Sequence, residues 1–546
     1  MRTTPKNAVV LTLIALLATG ACALQSAVYG LPVPTVHDEF SYLLAADTFA
    51  RGRCTNPTPP LWQHFETMHV LMRPTYASKY PPGQGLFLAA GKLLGHPVFG
   101  VWLGIALACA AGAWMLRAFV PRRWALAGGL IMATRLGLSK WGWVYWGGGV
   151  AFAAGALFIG GWMRVLRKPR PAPAVTMTFG LVLLAISRPL EGLLLCVPVG
   201  VATVLRLAGR GSSQLRPVLR QALVPALAVL LPAALAMGYY NYRVTGSAAR
   251  LPYLEYAAQY DIAPVLLVQT PSPPPLYRHK EISDYQWQYQ YYSYDVQRKD
   301  PSVWRSFSLV KVRMWQHLFL GWSLTLPLVV LPCVLLKSPR TRFALIACGF
   351  VLGFVATVHV TGQEHYVAPA APLLYVLVVQ CLRYVSLWHW RGVRVGRPLA
   401  AVWLVGCLLA PVPSLIPQFK NWLPDPGTTS ASDSRLPEWM LVELRSWLIH
   451  MPRAEWAVHR EQLEHKLKAQ GGRHLVLVRY DPDHSYLDEW VFNEADIPAA
   501  SVIWARPMGR EGYERLARQF PDRSIWQLQV SAHGSGLSLL RGPVKS

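Results

Sequence analysis

The sequence predicts a polytopic α-helical membrane protein with about eleven transmembrane helices, interfacial helices in its first outer loop and a small C-terminal α/β domain. Three observations predict it. Of 546 residues, 53% are hydrophobic and only 15% charged, which is too apolar for one soluble core of this length. Apolar runs near the roughly 20 residues needed to cross about 30 Å of hydrocarbon recur at 8–29, 97–118, 124–138, 150–165, 174–188, 191–206, 221–239, 317–336, 342–360, 367–385 and 398–416. From Asn421 onward hydropathy collapses and acids become common.

The first run follows Arg2 and Lys6, and "ATGAC" ends at Cys22 loosely like a lipoprotein cleavage box. The box lacks a large aliphatic residue three before the cysteine, and apolar sequence continues to Val28, so an uncleaved anchor is expected. The first outer loop, 30–96, opens with "DEFSYLLAADTFARG". Its Phe40, Leu43, Leu44 and Phe49 recur at helical spacing, as in an amphipathic helix lying along the membrane surface. "PPGQGLFLAAGKLLG" reads as a second short helix that half-enters the bilayer.

Between later runs, "RAFVPRRW", "RVLRKPR", "RLAGRGSSQLRPVLR", "KSPRTR" and "HWRGVRVGR" are rich in base. The positive-inside rule makes these turns cytoplasmic, with the N-terminus inside and the C-terminus outside. The net charge of +25 then belongs to basic turns facing anionic lipid, and nucleic acid is not required to explain it. The second outer region, 240–316, holds "TPSPPPLYRHK" and "DYQWQYQYYSYD", which suit a membrane-interface lid or a sugar-stacking surface. A "PDPGTTSASDS" linker separates the membrane part, 1–416, from 417–546. There "HLVLVRY", "SVIWARP" and "SIWQLQV" read as strands, and "RAEWAVHREQLEHKLKAQG" and "GREGYERLARQF" as helices. Eight cysteines, of which only Cys54 falls in a loop, give no disulfide or zinc spacing. The expected setting is a bacterial inner membrane with the C-terminal domain in the periplasm.

Twelve acidic residues precede residue 417, and only Asp38 and Glu39 are neighbours. Asp38 could cap the helix it begins, with Glu39 favouring the first turn through the helix dipole. Alternatively a carboxylate at the membrane surface acts as general base on a hydroxyl. Cations in the outer loops could grip a phosphate or anchor at the interface: Lys79 before "YPPGQ", Arg188 with Glu191 in "SRPLEG", then Arg243 and Arg250 after the seventh run. Paired carboxylates with Glu364 or His365 could bind a divalent cation, for which oxygen ligands favour Mg or Mn. Asp481, Asp483, Asp488 and Glu489 read as a solvated face rather than a calcium site. "GRGSS" lacks the lysine and spacing of a P-loop.

Three short stretches, "HDEFSYLLAA", "KYPPGQGLF" and "GQEHYVAPAAPLLY", resemble the C-type integral-membrane glycosyltransferases, within them the protein O-mannosyltransferase and aminoarabinose transferase branch. The resemblance implies transfer of a hexose or pentose from a polyprenyl-phosphate carrier to a lipid, glycan or protein acceptor on the outer face, usually with inversion and with no required cofactor. It places the catalytic acid at Asp38, with Glu39 the neighbouring alternative. In the family's Lys-Pro-Pro pattern Tyr80 occupies the lysine slot and Lys79 lies one residue earlier; His365 falls in the third stretch. The rival classes are a transporter or flippase of a lipid-linked saccharide, and a membrane-anchored envelope assembly or binding protein working through its C-terminal domain.

Overall fold

The computed structural model describes residues 5–208, 218–416, 454–531 and 534–539. Arg2, the "GRGSS" segment and the "PDPGTTSASDS" linker lie outside the described residues. Every one of the eleven apolar runs is helical. Helices α1 (Pro5–Tyr29), α2 (His37–Ala50) and α3 (Pro82–Leu93) lead into α4 (Val98–Leu116), α5 (Arg122–Gly137), α6 (Gly148–Arg167), α7 (Pro171–Ala185), α8 (Pro189–Ala208) and α9 (Val224–Thr245). After α10 (Pro252–Tyr260) come α11 (Pro301–Phe319), α12 (Pro339–Thr357), α13 (Ala371–Val385) and α14 (Gly396–Leu409). Among the described residues, seven helices are long and apolar enough to cross a membrane, or eight if Pro301–Phe319 and Gly321–Lys337 form one span bent by 93°. The other three runs are helices of 16, 15 and 15 residues, namely α5, α7 and α13.

The run expected at 317–336 therefore differs from a straight span, and helix already begins at Pro301, inside the region 240–316. Asp300 accepts hydrogen bonds from Ser302 N and Val303 N, and Pro301 occupies the first helical position, so the helix starts there. Gly321, with φ 56°, turns the chain where α11 ends.

Small residues let the bundle close up: a Cβ on Gly155 of α6 would meet the Pro369 carbonyl, and one on Gly129 of α5 would meet Ile14 of α1. At one end the basic turns gather, with Arg164 donating to the Trp114 carbonyl at 2.7 Å and Arg167 donating to that of Ala118. At the other end four connections meet. Tyr145 Oη donates to Pro32 O at 2.9 Å, Trp143 Nε1 to Gly30 O at 2.8 Å, Gln84 Nε2 to Tyr145 O at 2.9 Å and Gly83 N to Ile186 O at 2.7 Å.

Helix α2 departs from the amphipathic interfacial helix expected of it, because ten of its fourteen residues are buried. Helix α3 covers one side, where Gly85 lets Ala45 and Phe49 approach. The C-terminal sheet covers another, with the Phe40 ring stacked on Phe492 at 4.2 Å and on Trp456 at 6.1 Å. That sheet orders β3 (His474–Tyr480), β4 (Val502–Ala505), β5 (Ser524–Ser531) and β6 (Gly534–Leu539) as β4-β3-β5-β6, with only the β5–β6 pair antiparallel. Its helices are α15 (Glu455–Ala469) and α16 (Gly509–Gln519). β6 was not foreseen, since its Gly- and Ser-rich sequence carries no strand signal.

The sheet does not stand apart. Leu475, Leu477, Phe492 and Ile503 share one hydrophobic cluster with Phe40, Leu44, Phe65, Val70 and Met72 of the first outer loop. The acidic stretch is likewise not wholly a solvated face: Glu489 is buried and ion-paired with Arg506.

Candidate active site

Asp38 and Glu39 occupy consecutive positions in the first turn of α2, so about 100° of helical rotation separates their side chains. Neither caps the helix: the N-cap is Val36, with no side-chain bond. Glu39 is 1% exposed and accepts hydrogen bonds from Thr35 N and Tyr145 N, each at 2.8 Å. It ties the start of α2 to the loop before α6. Burial pushes its pKa up to about 7, against the pull of those backbone N–H groups. Asp38 instead keeps 32% of its side chain exposed. One of its oxygens accepts from the Tyr80 hydroxyl, and the other lies 3.7 Å from His69 Nε2.

Lys79 ends the short hairpin of β1 (Val70–Leu71) and β2 (Ala77–Ser78) and is buried. Its Nζ faces the rings of Tyr256 at 4.6 Å, Tyr253 at 5.1 Å and Tyr80 at 5.4 Å. Among the described residues no carboxylate lies within 4.0 Å of it. Burial lowers its pKa, while the charges of Asp261 and Asp38 pull it back up. Aromatic faces thus hold this cation where an ion pair would be expected. Arg188, in the turn from α7 to α8, is also buried and also lacks a carboxylate within 4.0 Å among the described residues. Its guanidinium sits 4.9 Å from the Tyr366 ring. Gly83, by lacking a side chain, lets the start of α3 lie against Ile186 and Ser187, directly before Arg188.

Glu191, in the first turn of α8, is buried beside Arg188. His365 is buried 5.1 Å from the Trp146 ring and 4.6 Å from that of Tyr366, and among the described residues its Nδ1 has no hydrogen-bond partner. Burial holds its pKa well below the usual value. Asp38, Lys79, Tyr80, Arg188, Glu191 and His365 therefore belong to one continuous assembly at the end opposite the basic turns. Arg243 and Arg250 do not join it. Arg243 is exposed and bonds Tyr239 Oη at 2.8 Å; Arg250 is exposed and pairs with Glu255 at 2.8 Å. The left-handed Gly246 ends α9 and sends this stretch along the surface. Glu364 is paired with Lys140 at 2.6 Å, not with Asp38 and Glu39, and among the described residues no group of three or more His, Cys, Asp and Glu is placed to hold a metal.

Sequence reasoning missed His69. Its backbone is left-handed, φ 63°, a costly conformation for histidine. Three bonds hold it: Ser41 Oγ donates to its carbonyl at 2.6 Å, Lys79 N donates to the same carbonyl at 3.2 Å, and its N–H donates to Tyr256 Oη at 2.9 Å. Tyr285 Oη lies 3.1 Å from Nε2. Burial, then the charges of Lys79 and His37, keep the ring neutral. No spacing signals this residue, since its partners come from 10 to 216 positions away and from separate elements. The tyrosines of the second outer region were visible as a class, and three of them, Tyr253, Tyr256 and Tyr285, wall this site. A separate cleft of about 190 Å³ opens nearby between Trp62, Arg73, Tyr260 and Arg278, without Asp38 in its lining.

No protein-family model matches the sequence, and no curated protein matches it. Solved structures do. ArnT from Cupriavidus metallidurans bound to undecaprenyl phosphate superposes with a TM-score of 0.48 at 12% identity, over 95% of this chain and 93% of that one. The apo oligosaccharyltransferase of Archaeoglobus fulgidus gives 0.50 at 12% identity, over 95% and 69%. The same enzyme with Zn and sulfate gives 0.47 at 12%, over 95% and 67%. At such identity the likeness concerns architecture alone, and the apo enzyme carries it: this chain shares the fold of that archaeal membrane oligosaccharyltransferase.

Proposed function

We propose that the protein is a membrane glycosyltransferase that moves a hexose or pentose from a polyprenyl-phosphate carrier to an acceptor on the periplasmic face of a bacterial inner membrane, with inversion. One observation carries the reading: a solvent-reachable carboxylate, Asp38, belongs to the same assembly as two buried cations, Lys79 and Arg188, neither of which has a carboxylate within 4.0 Å among the described residues. Asp261 and Asp38 for Lys79, and Glu191 for Arg188, offset these buried charges without direct contact, and an anion arriving from the bilayer would contact both cations directly.

The chemistry follows from that placement. The acceptor hydroxyl gives its proton to the Asp38 carboxylate as its oxygen bonds the anomeric carbon from the face opposite the leaving group. The bond from that carbon to the phosphate oxygen breaks, and the extra negative charge on the departing polyprenyl phosphate falls to Lys79 and Arg188. Tyr80 hydrogen-bonds Asp38 and so sets the carboxylate's direction, while Glu39 fixes the helix that carries it. The shared fold with an oligosaccharyltransferase supports glycosyl transfer as the class.

Asp38→Asn keeps the size and removes the proton acceptor, so transfer should fall by about 10²- to 10⁴-fold with insertion and folding unchanged. Mass spectrometry of lipid extracts checks it: cells carrying only this variant should accumulate a prenyl-phosphate sugar that the parent consumes. Full activity in the variant, or movement of the lipid-linked sugar across sealed vesicles with no new glycosidic bond, would overturn the reading.

A further inference from the structure

We propose that Arg506 is a positioning residue for the reaction centre, which makes the C-terminal sheet a working part of the catalytic unit; this rests on the glycosyltransferase reading above. Arg506 follows β4 and is 3% exposed. Its Nε donates to Glu66 O at 3.2 Å, one terminal nitrogen donates to the Glu281 carboxylate at 2.7 Å, and the other donates to Glu489. Its backbone N–H donates to His64 O at 2.8 Å, and His64 Nδ1 meets its carbonyl at 2.7 Å. One side chain thereby joins the first outer loop, the second outer region and the sheet.

Each arm leads toward His69, which lies 3.7 Å from Asp38, or toward His37, which precedes it. Glu66 lies three residues before His69. Glu281 lies one helical turn before Tyr285, whose hydroxyl is 3.1 Å from His69 Nε2. Glu489 acts by charge on His37, the residue before Asp38, and the Phe492 ring packs 6.3 Å from that imidazole. The contacts that hold His69 in its left-handed conformation come from Ser41, Lys79 and Tyr256, so the loop must be held at a fixed height for them to form. Arg506 supplies that height from outside the membrane part. A buried arginine with two carboxylates is poor evidence for stability alone, since apolar residues fill such space as well, whereas its directed bonds fix three segments in one register.

Two variants test this in the full chain. Glu281→Gln leaves the Arg506–Glu489 pair and the carbonyl bonds in place and frees only the Tyr285 segment; Arg506→Lys keeps the charge and loses the fork. Both should accumulate prenyl-phosphate sugar in cells while purified protein keeps its affinity for undecaprenyl phosphate within about twofold, because Lys79 and Arg188 are untouched. Amide exchange across residues 67–72 should quicken about tenfold. In the double variant Glu281→Gln/Tyr285→Phe it should be no faster than in the faster single variant, because both act through one link. Unchanged exchange at 67–72 in Glu281→Gln, multiplicative effects in the double variant, or equal losses of phosphate affinity and turnover would overturn the proposal. If Arg506→Lys does not fold, Glu281→Gln still decides. The exchange readout needs no glycosidic chemistry, so failure of the glycosyltransferase reading shows separately, as absence of lipid accumulation in Asp38→Asn.

Discussion

Two adjacent carboxylates with different surroundings should respond differently to pH and to replacement. Glu39 carries a pKa of about 7 in the folded chain against an ordinary 4.5. Between those values the native state holds a proton that the unfolded state has released, so stability falls as pH rises through the window. The stabilising share is complete below about 4.5 and gone near 7, on the order of 3 kcal/mol. Melting temperature followed across that range should fall in the parent and stay flatter in Glu39→Gln. Lys79 makes the second case. Lys79→Met keeps the stem against Tyr253 and Tyr256 and removes the charge, so affinity for undecaprenyl phosphate should drop by about 2 kcal/mol, roughly 30-fold, whereas Arg243→Met at the exposed end of α9 should leave it unchanged. Titration of the purified protein with that lipid separates the two. At this scale the sequence shows residue types and adjacency but not direction: Asp38 and Lys79 were legible from the short motifs, and the split between Asp38 and Glu39 depends on which way α2 is turned. His69 was not legible, because what marks it is a backbone angle and partners from three other segments.

The helices themselves were legible because apolar length is a local property, and all eleven runs are helical. What surrounds each helix was not. An apolar stripe reads the same whether it faces lipid, a neighbouring helix or a soluble sheet, so α2 looked interfacial and proved to be enclosed. Close approach between elements leaves a fainter trace, in glycines. A Cβ on Gly83 would lie 2.8 Å from Ile186 O and 3.1 Å from Ser187 Cβ, both on the turn that ends at Arg188. Backbone cannot yield as a flexible side chain does, so Gly83→Ala should force α3 away from that turn at a cost of about 1–3 kcal/mol. Because Lys79 precedes α3 and Arg188 follows the turn, the two cations should separate, and undecaprenyl phosphate should bind more weakly. Gly20 of α1, where a Cβ meets nothing within 4 Å, is the matched control: Gly20→Ala should leave stability and lipid affinity as they were, or improve the helix slightly. Thermal unfolding together with lipid titration of both variants checks this.

Over the whole molecule the elements sort into two ends. The basic turns occupy one, and the connections that build the Asp38 site occupy the other, together with the sheet that covers α2. Sequence yields an expectation of sidedness, since base accumulates in alternate turns; it did not supply the docking, since the sheet domain meets the first loop across more than 400 residues, as in the Asp47 carboxylate that accepts from Ala495 N at 2.8 Å. The orientation can be tested without knowing any substrate. Arg243 lies at the site end and is exposed, Arg510 lies in α16 beside the sheet with 82% of its side chain exposed, and Arg394 is exposed in the basic turn before α14. In a chain whose native cysteines are replaced, single cysteines at 243 and 510 should react with a membrane-impermeant maleimide added outside intact inner-membrane spheroplasts, and one at 394 should react only after lysis. A donor carried by a lipid and an acceptor delivered from outside must meet on the same face as Asp38. Labelling of 394 from outside, with 243 and 510 protected, would put the carboxylate and both cations on the cytosolic side and remove the physical basis for transfer to a periplasmic acceptor.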